Sequence, residues 1–355
     1  MPTTRHTALT LALGIRLPVL QAPMAGSQDH RLAVAVAHAG GLGAIPGAML
    51  TPEALDRELN AFRNATTAPV NVNFFCHTPP QPDATAQAQW LQALAPFHRE
   101  FGIDPATLAN GPGRVPFNAD TADVLARHRP AVVSFHFGLP GADLLARVKA
   151  WGAQVLCSAT TVEEGLWLQA QGADAVIAQG LEAGGHRGHF LSDDLTRQTG
   201  TLALLPQLAA ALRVPVIAAG GIATPAAVAA ARALGASAVQ VGTAYLLCPE
   251  ATTSALHRAA LQSEQAHHTA LTRLFTGRPA RGIVNRLMRE LGPMNPAAPA
   301  FPLATAAMAP LRAAAEAQGS ADFSPLWAGQ AAPLCRPQTA AALTQWLASG
   351  WDVAC

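Results

Sequence analysis

The stretch VVSFHFGLPGADLLARVKAWGAQVLCSATTVEEGLWLQAQGADAVIAQG, residues 132–180, contains one pattern that repeats along the chain. Its apolar runs begin at residues 132, 154 and 175, and an Ala- and Leu-rich segment with helical character separates each run from the next. Near-continuously apolar runs joined by helices are typical of parallel strands that are buried on both faces of a sheet. The stretch therefore predicts successive β-α units.

The same unit extends in both directions from this stretch. Eight apolar runs fit it: VLQAP (19–23), GLGAI (41–45), VNVNFF (70–75), VVSFHFG (132–138), QVLCSA (154–159), AVIAQG (175–180), VIAAGG (216–221) and AVQVGT (238–243). Eight β-α units are the number that closes a parallel sheet on itself. We therefore predict an α/β fold, a TIM-type (β/α)8 barrel.

Two stretches are longer than the connections that a barrel requires. We predict a helical insertion over residues 77–130, after the third strand, and a helical segment on the substrate side over residues 250–335. Residues 339–349 are predicted to form a closing helix. The predicted barrel domain thus comprises residues 1–249 and 336–355.

Composition excludes several classes of protein. The formal net charge of +1 provides no basic surface for nucleic acid, and no apolar run is long enough to span a membrane. Five cysteines without a CxxC pair argue against a disulfide framework or a zinc site and fit a cytoplasmic protein. We predict no metal, nucleic-acid or membrane partner, and we leave open whether the chain forms a homodimer.

Glycines end the seventh and eighth predicted strands. Gly220 and Gly221 follow one of them, and Gly242 and Thr243 follow the other. A glycine allows backbone N–H groups to approach a phosphate closely, and the N-terminus of the following helix adds a positive dipole. Because these two loops form the usual phosphate site of a TIM barrel, we predict phosphate binding, either of a cofactor or of a substrate.

Amide side chains lie at several predicted strand ends. Asn71 and Asn73 point the same way by alternation, and a buried amide is costly unless it is hydrogen-bonded, either within the barrel core or to a ligand. Gln179 and Gln240 raise the same question. Four such amides suit a ring system with carbonyl and imide edges, such as a flavin.

Two histidines are candidates for chemistry. His136 stands in SFHFG at the end of the fourth strand, where the alternative is an ordinary core histidine. The Gly-rich QGLEAGGHRG of residues 179–188 is expected to wrap around a planar ligand and to present His186 and Arg187, the alternative being a flexible turn. Because an imidazole titrates near neutral pH, His186 is a candidate general base.

Taken in order, these motifs closely resemble those of class I nitronate monooxygenases, an FMN-dependent family formerly called 2-nitropropane dioxygenases. The resemblance covers residues 14 to 332, nearly the whole chain. It is carried by QAPMAG, VNVNFF, SFHFG, SATTVEE, QGLEAGGHRG, AAGGIA, QVGTAYL, CPEATTSALHRAAL, FTGRPARGIVNRLMRELGP and DFSPLWAGQAA.

The resemblance implies an FMN-binding barrel and a set of site residues. The implied and candidate cofactor-binding residues are Ala22, Pro23, Met24, Asn73, Gln179, Gly184, Gly185, Gly220, Gly221, Gln240, Val241, Gly242 and Thr243. His186 matches the catalytic base of the family, and His136 matches a pocket motif that we also assign to catalysis. Phe301 stands where the family usually has a tyrosine, and Tyr245 is the single tyrosine of the chain, so we expect an apolar pocket.

The implied reaction is the oxidation of a small nitronate or nitroalkane with O2. A nitronate is an electron-rich anion that can reduce FMN, and the products would be a carbonyl compound and nitrite. A neutral nitroalkane would first lose its α-proton to His186. Propionate 3-nitronate represents the expected class of substrate.

Three other interpretations remain open from the residues alone. A related flavin barrel could take hydride from NAD(P)H, as enoyl reductases and quinone reductases do. A flavin-free barrel could act on phosphosugars, although the chain has no lysine at a predicted strand end and only Glu182 near one. A flavin-binding protein without catalytic activity is the third.

Overall fold

The computed structural model describes residues 7–107 and 114–353. Cys355 and the first residues of the N-terminal stretch lie outside the described residues. The strands are β1 (Val19–Gln21), β2 (Gly43–Pro46), β3 (Val70–Phe75), β4 (Val132–His136), β5 (Gln154–Ala159), β6 (Ala175–Gln179), β7 (Gly185–His186), β8 (Val216–Ala219), β9 (Ala238–Val241), β10 (Thr269–Thr272) and β11 (Ala280–Ile283).

The α-helices alternate with these strands over most of the chain. They are α1 (Ala8–Leu13), α2 (His30–Ala39), α3 (Pro52–Ala65), α4 (Ala84–Glu100), α5 (Ala119–His128), α6 (Ala142–Lys149), α7 (Val162–Ala170), α8 (Thr201–Ala211), α9 (Pro225–Ala233), α10 (Ala255–Leu261), α11 (Arg286–Leu291), α12 (Ala304–Ala317) and α13 (Ala340–Ser349).

Eight parallel strands form the predicted TIM-type barrel. Their order is β1, β9, β8, β6, β5, β4, β3 and β2, so all eight apolar runs form strands of one sheet. A parallel bridge between Leu20 and Leu42 joins β1 to the chain just before β2 and closes the sheet on itself. The carboxyl ends of all eight strands therefore open at the same end of the barrel.

The barrel interior changes from apolar to polar along its axis. The deeper layer is mostly apolar, and its apolar members include Leu20, Leu42, Val132, Leu156, Ala175, Ile177, Ile217 and Ala238. The next inward positions toward the carboxyl ends include Asn73, Ser134 and Gln179. Because side chains alternate along each strand, these polar groups lie directly above the apolar layer and face the mouth of the barrel.

The two stretches outside the minimal barrel pack against each other. Helix α4, from the insertion after β3, contributes Trp90, whose indole N–H donates to the Ala304 carbonyl of α12 at 3.3 Å. His98 donates to the Ala307 carbonyl at 3.2 Å. Trp90 and Phe97 share an apolar cluster with residues of the C-terminal segment, so the two additions form one second core.

The segment of residues 250–335 is helical only in part. Strands β10 and β11 form an antiparallel hairpin within it, and β11 also pairs with β7, placing Ala280 opposite His186. The sequence pattern did not predict β10 or β11. The pairing of β11 with β7 joins parts of the chain about a hundred residues apart, which a local pattern cannot reveal.

Candidate active site

A cavity lies at the carboxyl ends of the barrel strands, and every one of the eight strands or the loop directly after it contributes to its wall. All fifteen predicted site residues line it: Ala22, Pro23, Met24, Asn73, His136, Gln179, Gly184, Gly185, His186, Gly220, Gly221, Gln240, Val241, Gly242 and Thr243. The tertiary structure thus gathers into one site residues that are spread over more than 200 positions of the sequence.

Glycines shape one side of this cavity. Gly220 and Gly221 have φ values of 114° and 72°, a region of backbone conformation that residues with a side chain rarely adopt. A Cβ at Gly220 would also lie only 2.9 Å from the Thr201 hydroxyl. The turn after β8 therefore requires glycine, and its backbone borders the cavity without side chains in between.

Two asparagines of β3 differ in their position relative to the cavity. Asn73 lines it and donates from its amide to the hydroxyl and carbonyl of Ser134, at 3.0 and 3.2 Å. Asn71 lies one layer deeper in the barrel, and its buried Oδ1 has no hydrogen-bond partner within the described chain. Of the pair predicted to share a face, Asn73 is the one that borders the cavity.

Gln240 provides a test of whether a flavin fits. Its Oε1 atom is buried at the cavity wall and accepts no hydrogen bond from any described residue. A buried acceptor without a donor costs about 1–3 kcal/mol, so a ligand that supplies an N–H at this point would be stabilised. The imide N–H of a flavin ring is a group of this kind, and the residues of the cavity fit such a ring.

The carbonyl group of His186 accepts two hydrogen bonds from the barrel wall. His136 donates from Nε2 at 3.1 Å, and Gln179 donates from Nε2 at 2.9 Å. Gln179 also accepts from the Gly188 N–H at 2.7 Å through its Oε1. Both side chains line the cavity, but these polar atoms hold the loop that carries His186.

Arg187 does not face the cavity, and the expectation that it is presented to a ligand beside His186 was wrong. Its side chain is fully buried and donates to the carbonyls of Gln179 and Gly180 and to Gln198 Oε1, at 2.7–2.8 Å. The reason is that β7 is extended, so consecutive side chains point to opposite faces. His186 takes the cavity side, and Arg187 anchors the loop from behind.

His186 lies in an aromatic cage. Its ring centroid is 5.4–6.1 Å from those of Phe75, Phe137, Phe301 and Trp327, and its Nε2 is 2.9 Å from the Thr276 hydroxyl. Burial holds its pKa well below the ordinary value, and the nearby Arg114 guanidinium adds to this effect. At neutral pH the imidazole is therefore uncharged, with a lone pair on one ring nitrogen.

Several residues of the site were not predicted as site residues. Arg114 and Trp327 line the cavity, and Thr276 contacts His186. Trp327 and Thr276 stand inside the DFSPLWAGQAA and FTGRPARGIV motifs, whereas no local pattern marks Arg114. Phe301 packs against His186 as expected of an apolar pocket.

The single tyrosine lies away from the pocket, in the barrel wall. Tyr245 is fully buried, and its hydroxyl is 2.8 Å from that of Thr344 on α13. It does not line the cavity, so no tyrosine hydroxyl is available there to bind a substrate. Within residues 7–107 and 114–353, no group of three His, Cys, Asp or Glu side chains could hold a metal ion, and no helix is long and apolar enough to cross a membrane.

The family model that matches this chain and two of its relatives carry the description nitronate monooxygenase. The family model described as nitronate monooxygenase matches residues 6–350. A nitronate monooxygenase of Pseudomonas aeruginosa is 45% identical over 350 residues, which cover 97% of this chain and 98% of the relative. A nitronate monooxygenase of Paraburkholderia phytofirmans is 43% identical over 344 residues, which cover 96% of this chain and 93% of the relative.

Two solved structures superimpose on nearly the whole of this chain. The nitroalkane oxidase from Streptomyces ansochromogenes superimposes with a TM-score of 0.87 at 40% identity and covers 97% of this chain and 98% of its own. FabK from Thermotoga maritima superimposes less closely, with a TM-score of 0.74 at 25% identity, covering 98% of this chain and 96% of its own.

Proposed function

This chain belongs to the nitronate monooxygenase family and is an oxidoreductase acting on nitronates, and from that premise we propose that it uses FMN and O2 to convert short alkyl nitronates into a carbonyl compound and nitrite. The expected substrates are of the propionate 3-nitronate class. The observation that carries the proposal is the single cavity lined by all fifteen predicted residues, with a neutral histidine inside an aromatic cage.

The cofactor would be held by two groups of residues. The backbone at Gly220, Gly221, Gly242 and Thr243 would bind the phosphate, and Gln240 with the residues around Met24 would border the ring. FMN would supply the electron acceptor for the nitronate. The side chains around His186 are largely apolar, so they would exclude water from the reacting carbon.

We assign to His186 the role of general base for neutral nitroalkanes. Nε2 of His186 is hydrogen-bonded to the Thr276 hydroxyl, and that hydroxyl donates to the Arg278 carbonyl at 3.5 Å. In that arrangement Nε2 carries the hydrogen, and Nδ1 has the lone pair that accepts the α-proton. A preformed nitronate has already lost this proton and does not need the base.

His136 is assigned a positioning role instead of a catalytic one. Burial lowers its pKa to about 3, so it stays a neutral hydrogen-bond donor throughout the working range of pH. Its bond to the His186 carbonyl, together with that of Gln179, would keep the base in place.

The test is anaerobic mixing of the purified protein with propionate 3-nitronate and, separately, with NADH, while the visible spectrum is recorded. A yellow protein whose flavin absorbance is bleached by the nitronate and unaffected by NADH is the expected result. Rapid reduction by NADH would instead favour an NAD(P)H-dependent reductase. A colourless protein that cannot be reconstituted with FMN would exclude a flavin mechanism.

A further inference from the structure

One charged side chain of the cavity has no role in the reaction described so far. Arg114, just before α5, lines the cavity, and its guanidinium carbon lies 5.6 Å from the centroid of the Phe301 ring. The His186 ring lies 5.4 Å from the same ring. The guanidinium and the base therefore border the same aromatic side chain, and both line the same cavity.

The charge of Arg114 is not neutralised by the protein. Neither stretch of the described chain places a carboxylate in an ion pair with it, and burial lowers its pKa without any acidic neighbour to offset the effect. Glu182, the acidic residue of the cavity wall, is bound to Thr201 at 2.8 Å through both its backbone N–H and its hydroxyl. A largely desolvated cation without a counter-ion is costly, and an anionic ligand would relieve that cost.

The position of Arg114 is fixed by a neighbouring histidine. His77 Nε2 donates to the Arg114 carbonyl at 2.9 Å, and the His77 ring packs edge-on against Phe301 at 4.8 Å. Burial lowers the pKa of His77, so this side chain remains a neutral donor. Arg114 is thus a cation held at a part of the pocket that Phe75 lines and Phe301 borders, and neither phenylalanine offers a polar anchor.

We propose that Arg114 is a specificity-determining residue that binds the carboxylate of a nitronate bearing one, while His186 faces the carbon next to nitrogen. This inference rests on the proposed function and deepens it. A planar guanidinium can hold both carboxylate oxygens, which gives it an advantage over a point charge. Short nitronates that end in a carboxylate should then be preferred over alkyl nitronates of the same length.

The first experiment compares propionate 3-nitronate with propyl-1-nitronate in the flavin-loaded enzyme. For Arg114→Met we expect kcat/KM for propionate 3-nitronate to fall roughly 100-fold, the scale for removal of one partner of a buried charge pair, and that for propyl-1-nitronate to change less than about 3-fold. Arg114→Lys should retain an intermediate preference. Arg63→Met, which removes an exposed arginine of α3, is the matched control and should leave both values unchanged.

Binding provides a second readout that does not depend on turnover. Anaerobic calorimetric titration of flavin-loaded His186→Asn should show tighter binding of 3-nitropropionate than of 1-nitropropane, and adding Arg114→Met to that variant should abolish the difference. The ratio of flavin absorbance to protein absorbance should be the same in all variants. An Arg114→Met protein that loses its flavin would show that Arg114 serves the cofactor and would overturn the inference.

The remaining outcomes separate the two proposals. An equal loss on both nitronates, or no loss on either, would exclude carboxylate recognition by Arg114 while leaving nitronate oxidation intact. If the wild type oxidised neither nitronate, the proposed function would fail. The calorimetric preference would then still decide whether Arg114 binds a carboxylate.

Discussion

The His186 imidazole is uncharged because the protein surrounds it with aromatic rings and cations. Burial is the largest cause of its lowered pKa, and the charge of Arg114 is the next. Both effects disfavour the imidazolium form. The uncharged form has the lone pair that a general base requires, although the lowered pKa also weakens that base.

Replacement of His186 should distinguish two substrates. For His186→Asn we expect kcat/KM for nitroethane to fall by a factor of about 100 to 10,000, the usual contribution of a general base, because the α-proton then has no acceptor. The value for ethyl nitronate should fall much less. Steady-state oxygen consumption with each substrate measures both. An equal loss on the two substrates would contradict the assignment of His186 as the base.

At the scale of elements, the C-terminal segment supports the loops of the cofactor site. The Gly329 N–H donates to the Thr243 hydroxyl at 3.0 Å, and the Gln330 N–H donates to the Glu182 carbonyl at 2.9 Å. One short stretch thus contacts both the loop after β6 and the loop after β9. Gly184 makes this approach possible, because a Cβ there would lie 2.5 Å from the Gly329 nitrogen.

A side chain at Gly184 should therefore weaken cofactor binding. In Gly184→Ala the added methyl group meets backbone atoms of Ala328 and Gly329, which cannot move aside as a flexible side chain could. We expect a lower flavin content after gel filtration and a melting temperature reduced by several degrees.

The matched control for this prediction is Gly141→Ala. Gly141 precedes α6 with a φ of −53°, and a Cβ there meets no atom within 4 Å. It should retain the flavin content and the stability of the wild type. A Gly184→Ala protein that behaved like this control would show that the close approach of the two loops does not matter for the cofactor.

For the molecule as a whole, we expect the buried histidines to lower stability in mild acid. Burial lowers the pKa of His136 to about 3 and that of His189 and His257 to about 4, and it also lowers the pKa of His77 and His186. In the unfolded chain each would titrate near 6.5. The unfolded state therefore binds more protons than the folded state below that pH.

Titration of these histidines should therefore leave the free energy of unfolding unchanged above pH 6.5. Below pH 6.5 the free energy of unfolding should decrease as the pH falls. Each such histidine contributes about 1.4 kcal/mol per pH unit until its folded pKa is reached, so several together should lower stability by several kcal/mol at pH 5. Urea denaturation from pH 8 to pH 5 measures this. Unchanged stability across that range would contradict the burial of neutral histidines.

The β-α periodicity is a local property, and for that reason the sequence alone was sufficient to predict the barrel. Near-continuously apolar runs joined by helical segments indicate strands that are buried on both faces of a sheet, and eight such strands close into a barrel. The ordered motifs likewise predicted the residues that line the cavity, because the carboxyl ends of parallel strands meet at the same end of a barrel. Their individual roles remain predictions.

Contacts between distant parts of the chain were decided only by the tertiary structure. The pairing of β7 with β11 turns His186 toward the cavity and Arg187 away from it, and no local pattern specifies that pairing. Arg114 and His186 line the same cavity because the irregular end of the insertion, just before α5, lies at the barrel mouth. Side-chain direction in short strands and loops depends on partners far along the chain, so it emerges only when the chain has closed around its core.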